Sequence, residues 1–133
     1  MESNIPDNIK ITNYVYPEDI SITADYAQVE QTLINLIKNA VEALSDNKTG
    51  TIQLKAFYAD GAAIIQVEDD GPGIPGDIIE DIFVPFYTTK KSGSGIGLSL
   101  SKQIMQNHDG TISVNSLPGK GARFTLRFPG YRV

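Results

Sequence analysis

Cysteine is absent from this 133-residue sequence, so no disulfide framework, zinc–thiolate site or thiol nucleophile is possible. Redox chemistry therefore does not decide the compartment. No basic run occurs either: 11 Lys and Arg stand against 16 Asp and Glu, a formal net charge of −5. A chain that grips nucleic acid normally presents a positive surface, so nucleic acid is not an expected partner. A polyanion would have to be held by local donors and a metal, not by the overall field. No apolar run approaches the ~18 residues that cross a membrane. The start, Met1-Glu2-Ser3-Asn4, has no apolar signal core. A cytoplasmic domain is expected, with any membrane anchor carried elsewhere in a longer parent.

What is present suits one folded domain over residues 1–133. Apolar residues make up 41%, enough for a core, and the 20% charged residues are dispersed. Residues 9–16 and 20–23 read as short strands split by Pro17. From Gln28 to Leu44, Val29, Leu33, Leu36, Ile37, Ala40 and Leu44 recur at helical spacing, with Asp25 as the cap and Asp46-Asn47 and Gly50 beyond the end. Thr51–Tyr58 and Ala62–Glu68 read as strands joined through the hairpin signal Asp60-Gly61. Gly71-Pro-Gly-Ile-Pro-Gly76 breaks regular structure, residues 77–83 suit a short helix, and 84–95 read as a long loop. Gly97–Asn107 is helical again. Thr111–Ser116 and Ala122–Phe128 alternate as a last hairpin around Pro118-Gly119. Hairpin-linked strands with helices to one side predict an α+β fold, a two-layer α/β sandwich on a mixed, mostly antiparallel sheet.

Three stretches carry chemistry. Asn35 and Asn39 stand four apart on one helix face, with Gln31 and Glu42 close by. Their carboxamide oxygens are hard ligands of the kind Mg²⁺ prefers. Alone, however, the pair reads better as a solvated helix face. Asp69-Asp70-Gly71-Pro72-Gly73 follows an apolar strand. A carboxylate there can accept from a purine amino group, and glycine lets a ligand approach the backbone. An acidic turn fits those residues equally well. The Gly71-x-Gly73-x-x-Gly76 spacing is not a dinucleotide fingerprint, because Pro72 and Pro75 interrupt it and Lys90 and Lys91 stand near where an acid is needed. Lastly, Gly93, Gly95 and Gly97 open a helix directly after Lys90 and Lys91. Free N–H groups at a helix start attract phosphate, which favours an anion site over a bare linker. Phe83 and Phe86 would anchor the ends of that loop. The lone His108, at the end of this helix, is read as a structural contact with the helix terminus and not as a base or phosphoacceptor.

In this order and spacing, the stretches resemble the homology boxes of histidine kinases and the wider GHKL (Bergerat) ATP-binding fold. Asn35-Leu-Ile-Lys-Asn39-Ala-Val-Glu-Ala43 is similar to the N box and Asp69-Asp-Gly71-Pro-Gly73-Ile74 to the G1 box. Phe83-Val-Pro-Phe86-Tyr-Thr-Thr-Lys90 is similar to the F box and Gly93-Ser-Gly95-Ile-Gly97-Leu98 to the G2 box. The Thr-Thr-Lys form of the F box points to the nitrogen-sensor type. The resemblance implies that Asn39, helped by Asn35, ligates Mg²⁺ and that Asp69 reads the adenine amino group. It implies that Gly71, Gly73 and Ile74 shape the pocket and that Lys90 reaches the phosphates. Gly93, Gly95, Ile96, Gly97 and Leu98 would form a lid over ATP, mobile over residues 88–95 without ligand. The implied catalytic set is Asn35, Asn39 and Lys90.

The implied reaction is γ-phosphoryl transfer from ATP to a histidine on the dimerisation domain of a homodimeric parent, with a response regulator downstream. A serine kinase or anti-sigma regulator, or another ATPase module on the same fold, is the alternative. No histidine precedes the N box, so the chain is expected to be a piece of a longer kinase that does not autophosphorylate alone. Two positions depart from many relatives: Ala122 replaces a threonine next to the base, and Glu42 stands where some carry a lysine.

Overall fold

The computed structural model describes residues 8–44, 49–84, 97–116 and 119–130. Strands β1 (Ile9–Tyr16), β2 (Gly50–Ala59), β3 (Ala62–Asp69), β4 (Thr111–Ser116) and β5 (Ala122–Pro129) form one sheet in the order β1-β2-β3-β5-β4. β1 pairs with β2 in parallel; every other pairing is antiparallel. Helices α1 (Tyr26–Ala43) and α2 (Gly97–Asn107) form the second layer. The expected two-layer sandwich on a mixed, mostly antiparallel sheet is the observed fold.

Alternation decides which face each strand turns to the helices. Along β5, Ala122, Phe124, Leu126 and Phe128 are buried, whereas Arg123, Thr125 and Arg127 are only partly so. Register places Phe124 beside Val67 and Leu126 beside Ile65, so apolar side chains line up across strands. α1 covers this face with Val29, Leu36 and Ala40, and α2 with Ile104 and Met105. Leu36, Leu44, Ile52 and Leu126 are at most 1% exposed. Truncating one such leucine to alanine typically costs about 2–5 kcal/mol.

Local chemistry sets the ends. The Asp25 carboxylate accepts from the Gln28 N–H at 3.0 Å and caps α1. Asp60 and Gly61 both have positive φ, 53° and 76°, the signature of a type I′ hairpin turn between β2 and β3.

Two expected elements do not form. Residues 20–23 are not a strand, because Ser21 turns its backbone to the Tyr58 hydroxyl. That oxygen accepts from Ser21 N–H at 3.2 Å and donates to its carbonyl at 3.1 Å. Residues 77–83 form successive turns instead of a helix. Their bonds run Ile78 to Pro75, Asp81 to Ile78 and Val84 to Asp81, each closing three residues. A segment this short gains too little from propagation to sustain an α-helix. The helix end at Asp46-Asn47, Pro118, and the loop with Phe86, Lys90, Gly93, Gly95 and Ile96 lie outside the described residues, as does the expected lid mobility.

Candidate nucleotide site

The site is organised along one row of α1. Asn35, Asn39 and Ala43 follow at intervals of four and stand one above the other. The first of them meets α2: Asn35 Nδ2 donates to the Gly97 carbonyl at 3.2 Å. The last meets the turn after β3: a Cβ placed on Gly71 would lie 3.2 Å from the Ala43 carbonyl oxygen. Asn39 stands between, partly buried. The span from Asn35 to Ala43 is about 12 Å along the helix axis.

Asp69, 6% exposed, ends β3 on the helix-facing side, opposite Ile52 of β2 and Ala122 of β5. Its Oδ1 accepts from the Gly71 N–H at 2.9 Å, which sets the carboxylate's direction. A Cβ on Gly71 would stand 3.0 Å from that same oxygen, so glycine lets the turn close. Asp70 faces elsewhere. Its Oδ1 accepts from Thr51 N–H at 2.8 Å and its own N–H donates to the Thr51 carbonyl at 3.3 Å, extending the sheet. Of two adjacent acids, one is buried and bonded within its own turn and the other fastens the strand end.

The rest of the turn is fastened to the last hairpin. The Ile74 N–H donates to Ser116 Oγ, the Gly119 N–H to the Pro72 carbonyl, and Ser116 Oγ in turn to the Gly121 carbonyl. Gly73 has φ 81°, a conformation glycine adopts without strain. Ile74 and Leu98, both partly buried, pack against the core. Phe83 meets Phe124 edge-on with ring centroids 6.3 Å apart, and Lys102 Nζ lies 6.0 Å from the Phe83 ring centre. The expected anchor at the start of the long loop is therefore in place.

The structure thus brings Asn35, Asn39, Asp69, Gly71, Gly73, Ile74, Gly97 and Leu98 to one end of the molecule. Sequence reasoning missed Gly121 and Ser101 as parts of this end. Gly121 has φ 95°, and a Cβ there would come within 2.0 Å of the Asp69 carbonyl oxygen. Its signal in the sequence is a glycine directly before β5. Ser101, 0% exposed, had no local signal, because its distant partner is Asn35.

His108 is structural, as expected. One ring nitrogen, Nδ1, bonds the Ile104 carbonyl at 2.8 Å and the other, Nε2, accepts from the Asp25 N–H at 3.0 Å. Donation from Nδ1 and acceptance at Nε2 fit one neutral tautomer. The ring joins the end of α2 to the start of α1.

Residues 24–132 match the family described as histidine kinase-, DNA gyrase B- and HSP90-like ATPase. The chain is 42% identical over 110 residues to the C4-dicarboxylate transport sensor protein DctB of Rhizobium meliloti (strain 1021), covering 83% of this chain and 18% of that protein. It is 46% identical over 109 residues to the signal transduction histidine-protein kinase AtoS of Escherichia coli (strain K12), covering 81% and 18%. The chain therefore spans about a fifth of the length of these relatives. Among solved structures, the catalytic domain of histidine kinase ThkA superposes with a TM-score of 0.82 at 34% identity, over 93% of this chain and 80% of that one.

Proposed function

Because the chain belongs to the histidine kinase-, DNA gyrase B- and HSP90-like ATPase family, we propose that it holds Mg·ATP between α1, the turn at residues 69–74 and the head of α2. On this reading it is the catalytic part of a cytoplasmic two-component sensor kinase. It passes the γ-phosphoryl group to a histidine on the dimerisation domain of a homodimeric parent, and a response regulator acts downstream. Among the described residues, no helix is long and apolar enough to cross a membrane. The Thr-Thr-Lys segment is what favours the nitrogen-sensor type.

The observation that carries this reading is the row Asn35–Asn39–Ala43, with the α2 head at one end and the Asp69 turn at the other. Asp69 accepts from the adenine amino group, its carboxylate aimed by Gly71 N–H. Gly71 and Gly73 keep the floor free of side chains. The donor set fits Mg²⁺: carboxamide oxygens are hard, and Asn35 Oδ1, which accepts from Gln31 Nε2 at 3.0 Å, still has a second lone pair. Asn39, helped by Asn35, would hold the ion, which supplies charge neutralisation on the phosphates when bound. Lys90 adds a second positive charge there. Positioning and charge neutralisation provide most of the catalysis in phosphoryl transfer.

A titration with a fluorescent ATP analogue and Mg²⁺ tests the base contact. In Asp69→Asn, the new amide turns a donor towards the adenine amino group while its oxygen keeps the Gly71 bond. Affinity is expected to fall roughly 10- to 100-fold, the worth of a hydrogen bond to a charged group. Equal affinities for the two proteins would remove Asp69 from the site. Incubation with ATP and a supplied histidine-bearing helical domain tests the reaction. Acid-labile phosphate is the expected product, and acid-stable phosphoserine on a separate protein would favour the regulator-kinase alternative.

A further inference from the structure

Ser101 lies in the first half of α2 and is fully buried. A hydroxyl taken out of water must find partners or cost free energy. Its Oγ donates to the Gly97 carbonyl at 2.9 Å and accepts from Asn35 Nδ2 at 3.4 Å. The same Nδ2 reaches the Gly97 carbonyl at 3.2 Å. Asn35, Ser101 and Gly97 therefore close a triangle. On its other side the Asn35 oxygen is engaged by Gln31 Nε2, which fixes the orientation of the amide.

The pinned atom matters because of peptide geometry. The Gly97 carbonyl and the Leu98 N–H belong to one planar peptide unit and point in opposite directions. Holding the carbonyl with two donors sets the plane, and with it the direction of the Leu98 N–H. That amide is among those at a helix start for which helical geometry provides no intrahelical acceptor. A serine that bonds the carbonyl four residues back is also an ordinary way to satisfy a helical hydroxyl. The difference here is that the same carbonyl and the same hydroxyl are both shared with an asparagine one turn from Asn39.

We propose that Ser101 is a positioning residue for the phosphates. Together with Asn35, it holds the Gly97–Leu98 peptide so that the head of α2 faces the same space as Asn39. The inference rests on the ATP reading given above and names what orients one wall of that site.

The test uses the full chain, as wild type, Ser101→Ala and Ser101→Cys, titrated with Mg²⁺ and AMP-PNP and separately with adenosine. Thermal denaturation sets a temperature at which all three are folded. Adenosine lacks phosphates, so a purely structural role would weaken both ligands alike or neither. Positioning predicts AMP-PNP binding weaker by about fivefold in Ser101→Ala, the size of one neutral hydrogen bond, with adenosine within about twofold of wild type. Ser101→Cys, which keeps a weak donor at similar volume, should recover part of the loss. An unchanged ratio between the two ligands in both variants overturns the role of Ser101. A wild type that binds neither ligand overturns the ATP reading, and this inference with it.

Discussion

At the scale of single residues, two glycines near β5 separate backbone conformation from crowding. Gly119 and Gly121 have φ of 80° and 95°. Around Gly119 there is open space, while a Cβ on Gly121 would collide with the Asp69 carbonyl oxygen at 2.0 Å. Gly119→Ala is expected to cost about 1 kcal/mol, the strain of a left-handed non-glycine residue. Gly121→Ala adds displacement of the strand end that carries Asp69, and is expected to cost at least about 3 kcal/mol. Urea unfolding of both variants checks the difference; equal losses would mean that the contact relaxes freely. The same scale shows where the sequence is hard to read. Asp69 and Asp70 are chemically identical neighbours; the Gly71 N–H holds the first, and the distant partner that engages the second is the Thr51 N–H, 19 residues away. Without that partner, a base-reading acid and an acidic turn look the same. Ser116, which fastens Ile74 across 42 residues, is equally silent in a local pattern.

At the scale of elements, legibility follows locality. The bounds of β1, α2 and β4 match the sequence reading residue for residue, because local chemistry sets them: Pro17 follows β1, and Asp109-Gly110, with Asp109 at φ 57°, separates α2 from β4. Residues 20–23 were misread because a tyrosine hydroxyl 37 positions away takes their backbone bonds. The pairing of α1 with α2 was not legible at all, yet it is secured at both ends, by Asn35 at Gly97 and by His108 at Asp25. The ring of His108 also meets Phe128 edge-on at 6.3 Å. His108→Ala should therefore lower stability by roughly 1–2 kcal/mol through two lost hydrogen bonds and a ring contact. Because this end is remote from Asn39, affinity for Mg·AMP-PNP should stay within about twofold. A large loss of affinity at unchanged stability would give His108 a part in binding instead.

At the scale of the whole molecule, the family match begins at residue 24, beyond β1. In this chain β1 is nonetheless an integral strand, pairing with β2 along all its eight residues and burying Ile9 in the core. A chain trimmed to residues 24–133 keeps every box of the resemblance. It is expected to lose at least about 2 kcal/mol, the burial of one isoleucine, and to expose the β2 edge. Chemical denaturation and sedimentation velocity would register lower stability and concentration-dependent association. A trimmed monomer as stable as the full chain would show that β1 is dispensable.

The parallel pairing of β1 also determines where the chain comes in. Ile9 lies beside Gly50, whose N–H donates to the Asn8 carbonyl. Gly50 abuts the Leu44 side chain, Leu44 borders Gly71, and the Gly71 amide aims the Asp69 carboxylate. The edge strand β1 and the turn that carries Asp69 are thus neighbours through two glycines and one buried leucine, and a side chain added at either glycine would press on Leu44 between them.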